Sequence, residues 1–424
     1  MTEDLDPTLL LAQGRIAEAE AVCERRLEFF PNDVAALNIA ALGALRRSEP
    51  QRGRELLERA ARIAPADATT LHHLGRARDA TGDQAGALAA DEAAVRADPH
   101  SSIARLHYAI GLERQGNRER SLLQFTRALK DAQQDGQWLD AASTPVALRP
   151  LVEHAVTAVR GGRRAAFDAL MSPLKQRFGR ASLARVEAAI RIYVGEQQPA
   201  YPDPRQQPTF FYVPGLPPAP YFDRRLFAWI PAYEAVAPQI LSELQALLPI
   251  DRGRERVFHS DELEGANLRG DDAVPSWNGY YFYRHGERRE DNCLACPITA
   301  ATLDAITLIR IREHGPEVLY SIFTPGTHLL PHRGVTNARA VSHLPLIVPA
   351  DCALKVGGDE HIWRSGRVVV FDDTYEHEAW NRSKELRVVL IADIWNPHLN
   401  EVEQAAITEV IAAIGDLRHN VEAS

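Results

Sequence analysis

The stretch that decides the fold of the second half of the chain is PGTHLLPHRGVTN at residues 325–337, followed by FDDTYEHEAW at residues 371–380. Each segment places a histidine, His332 or His377, at the border of a β-rich run beside turn-forming residues. Closure of an antiparallel sheet would bring two such borders to one opening. Because neutral imidazole is a common ligand of iron, the segments predict a metal site; the ordinary alternative is two unrelated loop histidines.

Arg387 lies one strand beyond His377 and opens the apolar run RVVLIADI at residues 387–394. A guanidinium in such a strand needs a carboxylate partner, because burying an unpaired charge is costly. The partner is either a dicarboxylate ligand beside the metal or a side chain such as Asp372, Asp373 or Glu385. We favour the ligand, since a guanidinium next to the metal can bind the carboxylate of a cosubstrate through two parallel hydrogen bonds.

The flanking sequence is a series of short β-rich runs separated by Gly, Asp and Pro turns. These runs are residues 280–283, 319–323, 343–348, 353–356, 367–371 and 387–394. Their spacing predicts an antiparallel barrel or sandwich. One helix is predicted before them at about residues 233–248, and another after them at about residues 401–414.

A proline-dense segment at residues 198–220 marks a change of composition. Eight prolines in that segment forbid a regular helix or a central strand. We therefore predict a boundary near residue 200, with a β-rich domain that ends in a helix over residues 201–424 and additional helices and a linker over residues 133–200.

Internal repetition dominates the first third of the chain. Pro31, Pro65 and Pro99 are spaced 34 residues apart, and each closes a segment of helical periodicity. The same register places turn residues at Gly14, Ser48, Gly82 and Gly116, and small residues at Ala19, Gly53, Ala87 and Ser121. This is the tetratricopeptide (TPR) period, so we predict a TPR-like helical solenoid over residues 1–132. Peptide binding, self-association and support of the second domain all remain open as its role.

Charge and composition narrow the function classes. The formal net charge of −9 disfavours binding to nucleic acid, and no apolar run is long enough to span a membrane. The N-terminal residues MTEDLDP lack the features of a signal peptide, so we expect a cytoplasmic protein. Cys293 and Cys296 form one C-x-x-C pair, which we read as packing, as a redox pair or as a metal site, in decreasing order of preference.

The two histidine segments resemble the motifs P-G-T-H-x-x-P-H-x-G-x-T-N and F-D-D-x-x-E-H-E-x-W of the aspartyl/asparaginyl β-hydroxylase family. The similarity extends to Arg387 and to the segment DIWNP at residues 393–397, and it covers residues 205–400. Vertebrate members of the family also join helical repeats to this domain.

The resemblance implies a double-stranded β-helix of the cupin or jelly-roll type that binds iron(II) through His332 and His377. It also implies that Arg387 and Ser321 bind the distal carboxylate of 2-oxoglutarate, with His343 near its other carboxylate. Related oxygenases carry a metal-binding carboxylate two residues after the first histidine, where this chain, like the family, has glycine (Gly334).

Several further expectations follow from the resemblance. An arginine that vertebrate members carry two residues before His343 is Val341 here, and Arg339 is expected to take over part of its role. We expect Asp373 to be a turn residue rather than a group that orients a histidine, whereas for Asp372 both roles remain open. His328 and Trp380 are expected to line the site, with ordinary packing as the alternative.

The leading hypothesis is therefore an iron(II)- and 2-oxoglutarate-dependent dioxygenase that uses O2 to hydroxylate a peptidyl or protein side chain, such as the β-carbon of Asp or Asn. The repeats would help to capture that polypeptide. One alternative is a hydroxylase of a lipid or a small amino-acid-like substrate. Another is a TPR scaffold with a catalytically degenerate oxygenase domain, which the loss of the arginine at Val341 motivates.

Overall fold

The computed structural model describes residues 6–250, 253–258, 260–270 and 275–423. The chain divides into two compact units, residues 1–163 with 419–424 and residues 164–418. The sequence instead predicted boundaries near residues 132 and 200. Residues 164–200 join the second unit because Val186 and Ile190 pack in one core with Phe211, Val213 and Ile407.

The first unit is built from antiparallel helix pairs. Its helices are α1 (Pro7–Ala12), α2 (Ile16–Phe29), α3 (Val34–Arg46), α4 (Pro50–Ile63), α5 (Ala68–Ala80), α6 (Gln84–Ala97), α7 (Ser102–Arg114) and α8 (Arg118–Gln134). The helix α9 (Arg149–Phe178) contains the point where the two units divide. The predicted helical N-terminal region is therefore confirmed.

The turn within each helix pair has the same backbone conformation. Gly14, Gly82 and Gly116 have φ angles of 72°, 82° and 76°, and Ser48 at the equivalent position has a φ of 62°. The predicted turn positions are thus confirmed. Their positive φ explains the preference for glycine, because a residue with a Cβ is sterically disfavoured in this conformation. The small residue five positions later is buried in each repeat, as close approach of the paired helices requires.

Ser48 is the one turn residue that carries a side chain at this position, so replacing it with glycine is expected to stabilise the repeats. We expect the Ser48→Gly variant to gain about 0.5–1 kcal/mol in the free energy of unfolding, after the added entropy of the unfolded chain is subtracted. The matched variant Gly82→Ala should lose stability. Urea unfolding followed by circular dichroism tests both signs, and a stability loss for Ser48→Gly would contradict the turn assignment.

Among the described residues, the second unit combines two antiparallel sheets with several further helices. The helices are α10 (Ala184–Tyr193), α11 (Ile230–Ala235), α12 (Ala237–Leu247), α13 (Asp261–Asn267), α14 (Glu290–Ala295), α15 (Pro297–Asp304) and α16 (Glu401–Ala423). The strands are β1 (Arg254–Arg256), β2 (Leu268–Gly270), β3 (Trp277–Arg284), β4 (Glu287–Arg288), β5 (Val318–Phe323), β6 (Thr327–His332), β7 (Arg339–Ile347), β8 (Cys352–Val356), β9 (Asp359–Ile362), β10 (Val369–Phe371), β11 (His377–Asn381) and β12 (Arg387–Trp395).

The strands form a seven-stranded sheet in the order β1-β3-β5-β12-β7-β10, with β4 added to β3, and a five-stranded sheet in the order β2-β6-β11-β8-β9. Buried side chains of both sheets meet in one cluster that includes Phe323, Phe371 and Val389 from the larger sheet and Leu329 and Leu354 from the smaller one. The space between the two sheets therefore contains the core in which inward-facing residues converge.

A second core covers the opposite face of the larger sheet. Ile240 and Leu244 of α12 pack there with Phe282, Tyr320 and Leu390. The predicted helix at 233–248 is in fact two helices, α11 and α12, because Pro238 follows the break and cannot supply a backbone N–H.

The proline-dense segment lies along the β domain rather than forming a free linker. Isolated bridges join Gln206 to Tyr375 and Phe211 to Thr336. The predicted β-rich runs are all found as strands, although β1, β2, β4, β6, β9 and β11 were not among them. Among the helices that the structure describes, none is both long and apolar enough to cross a membrane.

Candidate functional site

His332 and His377 are direct partners across neighbouring strands. His332 ends β6, His377 begins β11, and the two residues face each other in the antiparallel register. Their ring centroids are 4.0 Å apart. The structure therefore brings together the two histidines that the sequence singled out.

Backbone carbonyls fix which nitrogen of each ring is free. The Nδ1 of His332 lies 2.9 Å from the carbonyl oxygen of Leu330, and the Nδ1 of His377 lies 3.0 Å from that of Tyr375. A carbonyl can only accept a hydrogen bond, so each Nδ1 carries the proton and each neutral ring keeps its lone pair on Nε2. Burial, followed by the neighbouring His332, lowers the pKa of His377 to about 4, which keeps that ring neutral at pH 7. This is the state in which imidazole binds a metal.

Gly334 faces the carboxyl group of Asp373. A Cβ added to Gly334 would lie inside the van der Waals contact distance of that carboxyl group. The backbone holds the two residues together, since Gly334 N donates to the Asp373 carbonyl at 2.6 Å. The space that a side chain at position 334 would need is therefore filled by a carboxylate from another part of the chain.

The structure distinguishes the two neighbouring aspartates, of which Asp372 was left open between a turn role and a role in orienting a histidine. Asp372 forms the turn: its Oδ1 accepts from Thr374 N at 2.9 Å and its Oδ2 accepts from Gln206 Nε2 at 2.6 Å. Burial raises the pKa of Asp372 to about 6. Asp373, expected to be the turn residue, instead points towards Gly334 and pairs with Arg339.

Arg339 is held by two carboxylates. Its Nη2 bonds to Asp373 Oδ2, and its Nη1 donates to Asp393 Oδ2 at 3.0 Å. These two carboxylates raise the pKa of Arg339 further above its usual value, against the opposing effect of burial. A role of Arg339 in cosubstrate binding stays a prediction, and its charge is already matched within the protein.

Glu317 lies at the outer end of this cluster and should make stability depend on pH. Burial raises its pKa to about 7, from an ordinary value of 4.5. An acid whose pKa is raised by folding stabilises the fold below the unfolded pKa, and that contribution is lost as the pH rises to the folded pKa.

We therefore expect Glu317→Gln, compared with wild type, to gain stability as the pH rises from about 5 to about 8, because glutamine carries no charge to bury. Urea unfolding at several pH values measures the difference. A difference between the two proteins that stays constant over this range would contradict the assignment.

Arg387 is fully buried and lacks a carboxylate partner among the residues that the structure describes. Its Nη1 donates to the carbonyl and to the Oγ of Ser321, at 3.3 and 3.2 Å. The guanidinium carbon lies 3.6 Å from the ring centroid of Phe323 and 4.9 Å from that of Trp363. Within the described residues, its Nε finds no hydrogen-bond acceptor. Burial lowers the pKa of Arg387 to about 9, because the charged guanidinium is removed from water without a neighbouring carboxylate among the described residues.

Ser321 and His343 complete this part of the site. Ser321 is buried on β5, and its Oγ accepts from Trp277 Nε1 at 2.9 Å. His343 is buried on β7, where burial, followed by the positive charge of Arg387, lowers its pKa well below the usual range. Its Nδ1 has no hydrogen-bond partner among the described residues. The sequence-predicted residues thus form one inward-facing group.

Phe323 and Trp363, which flank Arg387, were missed in the sequence. The alternation of inward-facing residues along β5 is a signal that could have found Phe323, but Trp363 follows β9 in a segment with no such pattern. His328 and Trp380, which were expected to line the site, face the other side of the smaller sheet. There His328 Nε2 lies 2.8 Å from Glu378, so the packing alternative describes them better.

Cys293 and Cys296 are both buried in the core behind the larger sheet. Burial raises the pKa of both thiols, to about 12 for Cys296. A buried thiol that resists deprotonation is a poor nucleophile and a poor metal ligand, so the packing interpretation is favoured.

Comparison with known proteins gives a family and relatives. Residues 234–397 match the family described as aspartyl/asparaginyl beta-hydroxylase. The mouse aspartyl/asparaginyl beta-hydroxylase is 26% identical over 387 residues, which cover 89% of this chain and 47% of the mouse protein. The ornithine lipid ester-linked acyl 2-hydroxylase of Rhizobium tropici is 33% identical over 181 residues, covering 42% of this chain and 61% of that protein.

Among solved structures, the TPR protein YrrB, described as having an unusual peptide-binding site, has a TM-score of 0.27 and 19% identity. The aligned part covers 30% of this chain and 64% of that protein. The chain spans about half the length of the mouse relative and less than two thirds of the Rhizobium relative.

Proposed function

Because the chain belongs to the aspartyl/asparaginyl β-hydroxylase family through residues 234–397, we propose that it is a hydroxylase that depends on ferrous iron, 2-oxoglutarate and O2. Its substrate is a peptidyl or protein side chain, such as the β-carbon of Asp or Asn, and its co-products are succinate and CO2. We assign the two facing sheets to a double-stranded β-helix with the active site between them.

The donor set fits ferrous iron. His332 and His377 would bind the ion through Nε2, since both Nδ1 atoms are committed to backbone carbonyls. Among the described residues, no group of three or more His, Cys, Asp or Glu side chains is placed to hold a metal. Two protein ligands leave positions for a chelating cosubstrate and for oxygen. Bound ferrous iron would supply the chemistry that inserts one oxygen atom of O2 into a C–H bond.

The observation that carries the proposal is Arg387, which is buried beside Ser321 and has no carboxylate partner among the described residues. A buried guanidinium without a carboxylate is unfavourable, so the pocket is built for an anion that the protein does not itself provide. Arg387 and the Ser321 hydroxyl would bind the distal carboxylate of 2-oxoglutarate. Phe323 and Trp363 would exclude water from that ion pair and hold the guanidinium plane.

The extent of similarity favours a polypeptide substrate. The match to the mouse relative covers 89% of this chain and therefore includes the helical repeats, whereas the Rhizobium match covers 42%. Repeat solenoids present extended surfaces that bind peptides. We assign to the repeats the capture of the polypeptide that is hydroxylated.

A lipid acyl chain is the second candidate substrate. The higher identity to the Rhizobium lipid hydroxylase, 33% against 26% for the mouse relative, favours it. The third hypothesis, a scaffold with a degenerate domain, is not favoured, because His332 pairs with His377 and because Arg387 is buried without a carboxylate partner among the described residues.

Succinate release by the full chain tests the proposal and separates the substrates. The enzyme, loaded with Fe2+ and supplied with 2-oxoglutarate and O2, is incubated with a library of Asp- and Asn-containing peptides or with ornithine lipid in detergent micelles. Succinate formation that depends on a peptide, with a gain of one oxygen atom in that peptide by mass spectrometry, is the expected result. Turnover of the lipid alone would favour the second candidate. Absence of turnover together with absence of Fe2+ binding would overturn the proposal, and His377→Ala is the inactive control.

A further inference from the structure

We propose that Asp393 is a positioning residue of the iron site, which through Arg339 fixes the Asp373 carboxylate against Gly334. We call Asp393, Arg339 and Asp373 the Arg339 strut. The inference rests on the proposed function, because it assigns a role relative to the iron that His332 and His377 would bind.

The strut is continuous and spans three segments of the second unit. Asp393 on β12 accepts from Arg339 Nη1 at 3.0 Å, and the other terminal nitrogen of Arg339, on β7, bonds to Asp373 just after β10. Since β7 lies between β10 and β12 in the larger sheet, the guanidinium links two carboxylates across neighbouring strands. The rotation of Asp373 is therefore determined by a group that Asp393 holds.

The inner end of the strut lies beside Gly334, in the segment that follows His332. Asp373 is about 96% buried, as its relative exposure is 4%, and its Oδ1 has no hydrogen-bond partner among the described residues. The same carboxyl group occupies the space beside Gly334, two residues after His332. A buried acceptor atom that has no hydrogen-bond partner among the described residues, held beside the segment that follows His332, favours occupation of the site by a cation.

The outer end of the strut is anchored to the backbone of the same sheet. Asp393 Oδ2 also accepts from Glu317 N at 3.0 Å, and Asp393 N donates to the Glu317 carbonyl at 3.1 Å. Glu317 Oε1 in turn accepts from His285 N at 2.5 Å. These contacts fix Asp393 independently of Asp373, so Asp393 can act as the fixed point from which Arg339 is oriented.

A change in the charge of the strut can be distinguished from the loss of a neighbouring buried carboxylate. Asp373, Arg339 and Asp393 carry two negative charges and one positive charge. Asp393→Asn removes one negative charge and weakens the hold on Arg339, but it leaves both histidines, Asp373 and Arg387 in place. Asp372→Asn is the matched control, because it removes a buried carboxylate from the adjacent turn, which bonds to Thr374 and Gln206 instead of Arg339.

The test is anaerobic titration of the full chain with Mn2+ in the presence of N-oxalylglycine, with free and bound Mn2+ measured by electron paramagnetic resonance. Asp393→Asn is expected to raise the Mn2+ dissociation constant by about 10- to 100-fold and to alter the line shape of bound Mn2+. Asp372→Asn is expected to leave both unchanged. Arg339→Lys keeps the positive charge but cannot bridge two carboxylates, so it should weaken Mn2+ binding as Asp393→Asn does.

The outcomes distinguish this inference from the proposed function. If wild type binds Mn2+ and both variants bind it with unchanged affinity and line shape, the inference is wrong and the proposed function stands. If wild type does not bind Mn2+, both are overturned. Thermal unfolding of the metal-free proteins identifies a variant that fails to fold, in which case the remaining strut variant decides. Loss of stability without loss of Mn2+ affinity would indicate a merely structural role and would overturn the inference.

Discussion

The Arg387→Met variant is expected to bind 2-oxoglutarate about 30- to 3000-fold more weakly than wild type, and yet to be more stable without ligand. The loss in affinity follows because truncating one partner of a buried charge pair costs about 2–5 kcal/mol, and each 1.4 kcal/mol is about tenfold. The gain in stability follows because the metal-free protein no longer buries an unpaired guanidinium. Replacing buried ionic groups with apolar ones of similar volume has stabilised other proteins by about 1–4 kcal/mol.

Isothermal titration with 2-oxoglutarate in the presence of Mn2+ measures the affinity, and thermal unfolding of the unliganded protein measures the stability. Arg364→Met is the matched control, because Arg364 is exposed and lies only one residue from Trp363. Both quantities should stay at the wild-type value in that control. Unchanged 2-oxoglutarate affinity in Arg387→Met would show that the guanidinium does not bind the cosubstrate.

The Gly334→Asp variant is expected to lose metal affinity, although it adds a carboxylate two residues after His332, where many iron(II) oxygenases bind their metal through a carboxylate. The new side chain would overlap the carboxyl group of Asp373, and the two would repel each other as like charges in a buried site. Overpacking alone costs about 1–3 kcal/mol of stability, and disturbing a carboxylate next to the metal costs about 10- to 100-fold in metal affinity.

Gly334→Ala separates volume from charge, because it adds the Cβ without the carboxylate. Gly265→Ala is the control for glycine replacement, since a Cβ there would meet no other atom within 4 Å. Mn2+ titration and thermal unfolding of the three variants give the comparison. Tighter Mn2+ binding by Gly334→Asp would mean that the pocket accepts a third ligand at this position and that Asp373 does not fill it.

The parts of the fold that the sequence predicted are those in which a local physical demand repeats. The 34-residue period could be predicted from the sequence because every helix pair needs the same positive-φ turn and the same small buried residue, as at Gly82 and Ala87. The apolar strands could be predicted because turn residues bound each of their runs. The strands β6 and β11 could not be predicted, because they carry polar side chains and the register between them shifts after His377.

The candidate site was predictable in composition but not in arrangement. The sequence identified His332, His377 and Arg387, whereas the flanking rings of Phe323 and Trp363 depend on how separate strands and loops meet. The role of Asp373 was predicted wrongly and that of Asp372 was left open, because both lie in the turn after β10, where strand alternation no longer decides which side chain faces inward. Only the contacts with Arg339 and Gly334 distinguish them.

The most direct test of the central claim is a crystal structure of the full chain with Mn2+ and N-oxalylglycine. We expect one Mn2+ ion bound to Nε2 of both His332 and His377, with the distal carboxylate of the analogue in contact with Arg387 and Ser321. Mn2+ bound away from either histidine, or the analogue bound without contact to Arg387, would contradict it.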